Sequence, residues 1–330
     1  MRAIVVREFG GPEVLRLEQV PNPVAGPGQL LVRVAAVGVQ FVETMTRAGR
    51  LQGVSPAAPN SLPWIPGREV AGEVIAVGEG VDPDWIGRRV AGVSTGFSGG
   101  YAELAAIEAA AAHHLPDGLG YPEAVSLLGT GRTALGLIEA TEVGKGDTVL
   151  VESAAGAVGV LSMQLARAAG AERIIGLARG AEKLAIVKDF GADFAIDYSA
   201  HDWPDQVRAA APDGVTVVFD AVGGPIGAAA FELLAEGGRF IIFGFSDGVA
   251  TEIDQTRAAE RRINVLSYFG PPTGPRSPEA QLRLSREVFA AATEGRLRTF
   301  VGRRFPLDQA AEAHAAITGR KTVGKTVLEP

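Results

Sequence analysis

The segment TVLVESAAGAVG at residues 148–159 has the make-up of a phosphate cradle. A hydrophobic run ends in small residues and opens directly into a stretch where Val158, Leu161 and Leu165 recur at helical spacing as one apolar stripe. A strand feeding a helix through such a turn lets backbone approach a pyrophosphate, and the helix's unpaired N–H groups and dipole favour the anion. Ala155, Gly156, Ala157, Val158 and Gly159 are therefore candidate contacts to a dinucleotide. Gly156 and Gly159 take the second and third glycine positions of the fingerprint, while Ala154 stands where the first would be. About 20 residues beyond such glycines an NAD-selective fold places a carboxylate for the ribose 2′-hydroxyl, and this chain has Ala178 and Arg179 there instead. A guanidinium bonds a 2′-phosphate in a planar fork, where a carboxylate would repel it, so Arg179 points to NADPH. The bland alternative for Arg179 and Lys183 is a solvated basic pair at a helix start.

Composition bounds the remaining chemistry. The chain contains no cysteine, which removes disulfides, thiolate nucleophiles, iron–sulfur clusters and cysteine-ligated zinc. No two of the four histidines, His113, His114, His201 and His314, have the i, i+4 spacing that sets metal ligands on one helix face, and the adjacent His113 and His114 read as a loop pair. Thirty-one Lys and Arg against 38 Asp and Glu leave a net charge of −7, which opposes non-specific attraction to nucleic acid or anionic lipid. The opening MRAIVVREFG alternates like a strand and lacks the charged segment and hydrophobic run of a secretory signal, and no stretch approaches ~18 uninterrupted apolar residues. The expectation is a cytoplasmic protein with no membrane partner.

A chain of 330 residues, at roughly 150 per domain, should hold about two domains. Up to about residue 122, glycines and prolines punctuate short β-type runs at 3–7, 14–20, 30–39, 70–77 and 101–107, which predicts an irregular, mostly antiparallel β domain. Helical stretches at 123–128 and 132–141 follow. Strands at 148–152, 173–178, 194–197, 215–221, 239–244 and 263–269 then alternate with helices, among them 157–169, which suits a doubly wound parallel sheet in an α/β fold. The proline-rich run at 271–278 reads as a break, followed by helices at 279–294 and 307–318 and a closing strand at 324–328. The predicted division is residues 1–122 with 270–330 as one domain and 123–269 as the Rossmann domain. Val222, Gly223, Phe243, Gly244, Phe245 and Ser246 fall at the C-terminal ends of strands, the edge where open α/β sheets bind ligands, and are candidate cofactor contacts.

Together these segments resemble the zinc-independent medium-chain dehydrogenase/reductases of the quinone oxidoreductase (ζ-crystallin-like) family. The resemblance covers essentially the whole chain and is carried by VAAVGVQFVETMTRAG at 34–49, IPGREVAGEVIAVGEGV at 65–81, GRRVAG at 87–92, SGGYAELAAI at 98–107, LPDGL at 115–119, FDAVGG at 219–224, FGFSDG at 243–248 and the terminal VGKTVLEP. It implies a chaperonin-10-like N-terminal β domain, a Rossmann domain, nicotinamide held in the cleft between them, and a homodimer. Zinc-dependent relatives place cysteine and histidine ligands at the positions of Gln40 and Arg68, and neither residue here is a zinc ligand. The lobe with four structural cysteines is also missing. Without a Lewis acid, the natural reaction is hydride delivery to an electron-poor acceptor such as a quinone or an α,β-unsaturated carbonyl.

The same resemblance implies roles for individual residues. Gln40 and Glu43 replace the branch's usual asparagine and aspartate beside the nicotinamide or substrate, each with one more methylene. Their alternative is a polar helix start after the strand at 30–39. Thr130 and Thr133 match a segment whose hydroxyls bond carboxamide or substrate, or else they cap the helix at 132–141. Lys183, Tyr198 and Arg320 match positions that reach the 2′-phosphate. Tyr101 reads as a packed, hydrogen-bonded aromatic against the alternative of a proton donor. Three functions compete: an NADPH-dependent quinone reductase, an enoyl or enone reductase, and a crystallin-like structural or RNA-binding protein, the last opposed by the net charge and the lack of a basic stripe with interleaved aromatics. The edge strand at 263–269 invites pairing with its copy.

Overall fold

The computed structural model describes residues 1–52, 59, 61–268 and 277–330. It divides into two compact units, Met1–Gly129 with Thr299–Pro330, and Thr130–Arg298. In the first unit β1 (Arg2–Val5) and β2 (Arg16–Gln19) form an antiparallel ribbon. A seven-stranded sheet is built around the long β3 (Gln29–Val39), whose run QLLVRVAAVGV is buried almost throughout, as suits a strand at the centre of a covered sheet. Helix α1 (Phe41–Arg47) leads to β4 (Glu69–Val77), β5 (Arg89–Val93), β6 (Leu104–Glu108), β7 (His113–His114) and α2 (Tyr121–Val125). The two histidines expected in a loop are thus a short strand on β5. Ile4, Leu30, Val32, Val70, Val74, Val90, Ile107 and Leu328 share one core.

The second unit runs α3 (Gly129–Ala140), β8 (Thr148–Val151), α4 (Ala157–Ala169), β9 (Arg173–Ala178), α5 (Ala181–Asp189), β10 (Phe194–Asp197), α6 (Trp203–Ala210), β11 (Val215–Asp220), α7 (Gly224–Glu232), β12 (Leu234–Ile242), α8 (Gln255–Glu260), β13 (Asn264–Ser267) and α9 (Pro278–Thr293). The strand order is β10-β9-β8-β11-β12-β13, and every pair is parallel. This is the doubly wound Rossmann order, with its reversal between β8 and β11, where such sheets bind ligands. The buried part of α4 is broader than a stripe of Val158, Leu161 and Leu165: Gly159, Val160, Leu161, Ser162, Met163 and Ala166 are buried and Val158 and Leu165 only half so, because over 159–163, more than one full turn, the helix is covered all round rather than along one face.

The expected domain boundaries need correction at both ends. Residues 123–129 belong to the first unit, where α2 packs on β3 and β4. Helix α9, expected to return to that unit, stays with the second: it buries Leu284, Val288 and Phe289, Val288 closes on Gly131 of α3, and Arg283 pairs with Glu139 of α3 at 2.7 Å. Phe269 of the expected edge strand and residues 271–276 of the proline-rich run lie outside the described residues. The chain rejoins the first unit through β14 (Val301–Pro306), α10 (Ala310–Thr318) and β15 (Lys325–Glu329), with β15 inserted between β14 and β3. β14 was not expected because VGRRFP carries two exposed arginines and no apolar alternation.

Candidate active site and cofactor cradle

In the first unit, Gln40 is the N-cap of α1, in extended geometry, and its backbone N–H donates to Glu43 Oε2 at 2.9 Å. Glu43 N–H donates back to the Gln40 carbonyl oxygen at 3.1 Å, so the helix-start reading of this pair is what the backbone adopts. The other oxygen, Glu43 Oε1, accepts from the backbone N–H of Arg68 at 3.1 Å. Glu43 is only 1% exposed. The expectation that it meets substrate is therefore corrected: both its oxygens are engaged inside the protein, and it acts as a clasp that sets the backbone at Gln40 against the backbone at Arg68.

The clasp is anchored from below. Tyr101, fully buried, donates its hydroxyl to Glu43 Oε2 at 2.9 Å, and its Oη lies 2.9 Å from His314 Nε2. His314 Nδ1 lies 3.4 Å from Arg47 Nη1. The Arg47 guanidinium can only donate, so Nδ1 is the acceptor and Nε2–H donates to the Tyr101 oxygen. Burial, and then the Arg47 charge, push His314 down to about 3, which keeps it neutral. Burial raises Glu43 against the opposing pull of the Gln40 N–H, the Tyr101 hydroxyl and Arg68, and burial raises Tyr101 well above the usual phenol range. Tyr101 is thus the packed, hydrogen-bonded aromatic. Beside this chain, Glu69 and Lys325, each about 3% exposed at the side chain, pair at 2.9 Å, and Glu69 Oε1 accepts from Gly129 N–H at 2.6 Å. Gly129 in turn leaves room for that carboxylate, since a Cβ there would collide with Glu69 Oε1, with Gln40 Nε2 3.3 Å away.

The second unit holds the cradle. Its turn is tightened at Ser153, which takes φ +50, while Ala154, in place of the first glycine, is buried and donates its N–H to the Leu177 carbonyl. A Cβ on Gly159 would lie 2.6 Å from Ala154 Cα and from the Ser153 carbonyl oxygen, so glycine is required for α4 to close on the turn. Gly156 is the N-cap of α4, with ordinary φ −80. Its would-be Cβ would sit 3.1 Å from the Ser153 carbonyl oxygen and 3.3 Å from Ser153 Oγ, a tight fit but a looser one than at Gly159. Ala155, Ala157 and Val158 flank Gly156.

At the end of β9, the exposed Arg179 guanidinium stacks over the Tyr198 ring at 5.5 Å, so these two candidates are brought together. Asp197 shares the corner. Its carboxyl is held below the usual range first by the Ser199 hydroxyl, then by backbone N–H groups of Ser199 and Gly180 and by Arg179. Lys183 is half-buried on α5 in the same unit, whereas Arg320 belongs to the first unit, at the end of α10 with φ +55. Thr130 and Thr133 start α3, in the second unit, while Gln40 and Glu43 lie in the first.

The loops after β11 and β12 are laced together. Phe243 and Gly244 N–H groups donate to the Asp220 carbonyl, and Ser246 and Asp247 N–H groups to the carbonyls of Ala221 and Val222. A Cβ on Gly244 would fall 2.6 Å from the Ala221 oxygen. Val222 is buried, Gly223 takes φ +77, and Phe243, Gly244, Phe245 and Ser246 are half-buried. Under this lacing lie two fully buried carboxyl groups that sequence reading did not single out, Glu152 just after β8 and Asp220 at the end of β11. The signal was present: both are acids ending otherwise apolar strands, TVLVE and VTVVFD.

A β unit with a polar clasp and a doubly wound sheet with a dinucleotide turn define a two-domain dehydrogenase. Residues 26–117 match the alcohol dehydrogenase GroES-like domain and residues 157–284 the zinc-binding dehydrogenase family. A quinone oxidoreductase of Pseudomonas aeruginosa is 33% identical over 333 residues, 98% of this chain and 97% of its own. Among solved structures, mycobacterial Rv1454c complexed with NADPH is similar at a TM-score of 0.87 and 34% identity, and Escherichia coli quinone oxidoreductase complexed with NADPH at 0.87 and 28%, each over 100% of both chains. The chain belongs to the medium-chain dehydrogenase/reductase family, alongside its quinone oxidoreductases. The zinc in one of those family descriptions does not fit the residues: Arg68 brings a fixed positive charge and Gln40 a neutral amide, and among the described residues no group of three or more His, Cys, Asp or Glu side chains is placed to hold a metal.

Proposed function

We propose that this NADPH-dependent oxidoreductase reduces a quinone, and does so without a metal. The observation that carries the metal-free reading is the clasp: Glu43 pins the backbone of Gln40 and Arg68, so the two positions where zinc-dependent relatives carry metal ligands are held together and bear an amide and a guanidinium instead. Both are hydrogen-bond donors suited to the carbonyl oxygen of an electron-poor acceptor, on which negative charge develops as hydride arrives. The quinone itself is supported by the quinone oxidoreductases of Pseudomonas aeruginosa and Escherichia coli, similar along the whole chain.

Bound NADPH supplies the hydride. The pyrophosphate is assigned to Ala155–Gly159 at the start of α4, the 2′-phosphate to Arg179, Lys183 and Tyr198, with Arg320 as a further cation, and the nicotinamide end to Val222, Gly223 and Phe243 to Ser246, with Thr130 and Thr133 offering hydroxyls. Gln40 and Arg68 orient the acceptor, and Glu43 holds both without touching it. The proton comes from solvent, because the buried Tyr101 is committed to Glu43. Strand β13, at the edge of its sheet with β12 as its neighbour, is the proposed seam of a homodimer.

A panel of quinones and enoyl thioesters, followed by loss of NADPH absorbance, tests the substrate. Turnover of quinones with thioesters inert supports the proposal, and efficient reduction of an enoyl thioester with quinones inert replaces it with an enone reductase. RNA retention without any reductase activity would point to the binding-protein alternative.

A further inference from the structure

Glu152 and Asp220 follow neighbouring strands at the reversal of the Rossmann sheet, and both are 0% exposed. Their oxygens are unequally supplied. Asp220 Oδ1 accepts from Gly223 N–H at 2.9 Å and Oδ2 from the Thr251 hydroxyl at 2.6 Å. Glu152 Oε2 accepts from Val222 N–H at 2.9 Å and Ala221 N–H at 3.2 Å. Glu152 Oε1, buried, meets no hydrogen-bond donor among the described residues, and the parallel register that sets Val151 beside Phe219 puts Glu152 and Asp220 side by side on one face of the sheet. Two carboxylates facing each other in a dry site repel, and an unpaired buried oxygen is costly. One proton resolves both problems.

We propose that Glu152 is a neutral carboxylic acid that donates its proton from Oε1 to Asp220, and that this proton holds the turn at residues 221–224 in the geometry that receives the cofactor. With the proton in place, four N–H and O–H donors and one shared proton satisfy the pair, and the turn that carries Val222 and Gly223 is fixed from beneath. Burial, then the Asp220 charge and the hydrogen bond to it, raise Glu152 well above the usual carboxyl range, in agreement with this arrangement. Asp220 is the charged group beside it, and Asp247, in the loop after β12, lies against Gly224 at the far end of the turn. The first two turns of α4 and of α7, and the Leu177–Ala178 end of β9, carry no charged side chain. Glu152 is thus a positioning residue: loss of its proton to solvent leaves two adjacent carboxylates, and the turn must move to separate them.

The inference rests on the turn being a nicotinamide-end contact, as assigned above. Its test is the Kd of NADPH, read by cofactor fluorescence from about pH 7 to about pH 10, for the wild type and for Glu152→Gln. Glutamine reproduces the acid, with its oxygen accepting from Val222 and its NH₂ donating to Asp220. The wild-type Kd should rise with pH, toward tenfold per unit beyond the pair's titration, while Glu152→Gln keeps the neutral-pH affinity and loses that rise. The groups at the 2′-phosphate are the same in both proteins, so the difference isolates Glu152. Superimposable pH profiles would overturn the proposal. Infrared difference spectra supply a second readout that needs no cofactor: the wild type should show the carbonyl stretch of a protonated carboxyl at neutral pH that fades on alkalinisation, and its absence would overturn the proposal. Failure of NADPH to bind the wild type at any pH would instead refute the cofactor assignment, with the infrared band still deciding the state of Glu152.

Discussion

His314 and Arg179 show how two basic residues in one chain can have opposite fates. His314 is sealed against Tyr101 and Arg47 and titrates at about 3, against an ordinary 6.5. Its folded value is depressed, so the stability it contributes is complete above pH 6.5 and is lost as pH falls toward about 3, at up to about 1.4 kcal/mol per pH unit. Glu43, whose value is raised, works in the other sense, its contribution fading as pH rises above the ordinary carboxyl range. Urea midpoints between pH 6.5 and about 5 should therefore fall with acid in the wild type and fall less in His314→Gln; equal slopes would place the acid sensitivity elsewhere. Tyr101→Phe should cost about 1–3 kcal/mol, since it strands the buried His314 N–H. Arg179, by contrast, stands in water over Tyr198, where salt screens it. Arg179→Ala should weaken NADPH on the order of 10-fold, leave NADH nearly unchanged, and narrow the preference as ionic strength rises. Equal use of both cofactors by the wild type at low salt would contradict the assignment.

The two glycines of the α4 turn separate what an element needs from what its ligand needs. Gly159→Ala drives a methyl into the backbone at Ser153 and Ala154 and should lower stability by about 1–3 kcal/mol, visible as a shifted melting temperature. Gly156→Val presses on Ser153 at 3.1 Å, a milder conflict than Gly159→Ala meets, so its melting temperature should fall less than that variant's while NADPH affinity drops; unchanged affinity would make this turn purely structural. Elements with strong local patterning were readable from the chain alone: α4 spans 157–169 as expected, and the six parallel strands follow from alternating apolar runs and helices. What escaped reading depends on partners far along the chain. The Glu43 clasp joins positions 25 residues apart, His314 meets Tyr101 from 213 away, and Glu152 reaches Val222 across 70. Side-chain type told that Glu43 was polar and near a helix start. Only packing told that both its oxygens were already spoken for.

At the scale of the whole molecule, metal independence and self-association are the properties to check. Prolonged dialysis against a chelator should leave turnover unchanged, and stoichiometric zinc by elemental analysis, with activity lost on its removal, would refute the metal-free reading. Sedimentation should give a dimer, and Val265→Pro in β13 should shift it to monomer by removing a backbone donor from the edge; a monomeric wild type would dispose of the proposed seam.

The position of β15 has a consequence for how the protein is made. Strand β15, which follows every other described strand along the chain, lies inside the first unit's sheet, between β14 and β3, and its Lys325 supplies the countercharge buried against Glu69. Residues 130–298 form a contiguous unit, but the N-terminal unit waits with a gap beside Val37–Val39 of β3 until β15 has emerged. The part synthesised first is completed last, and during that interval its exposed β3 edge is the stretch of nascent chain most in need of protection by a chaperone.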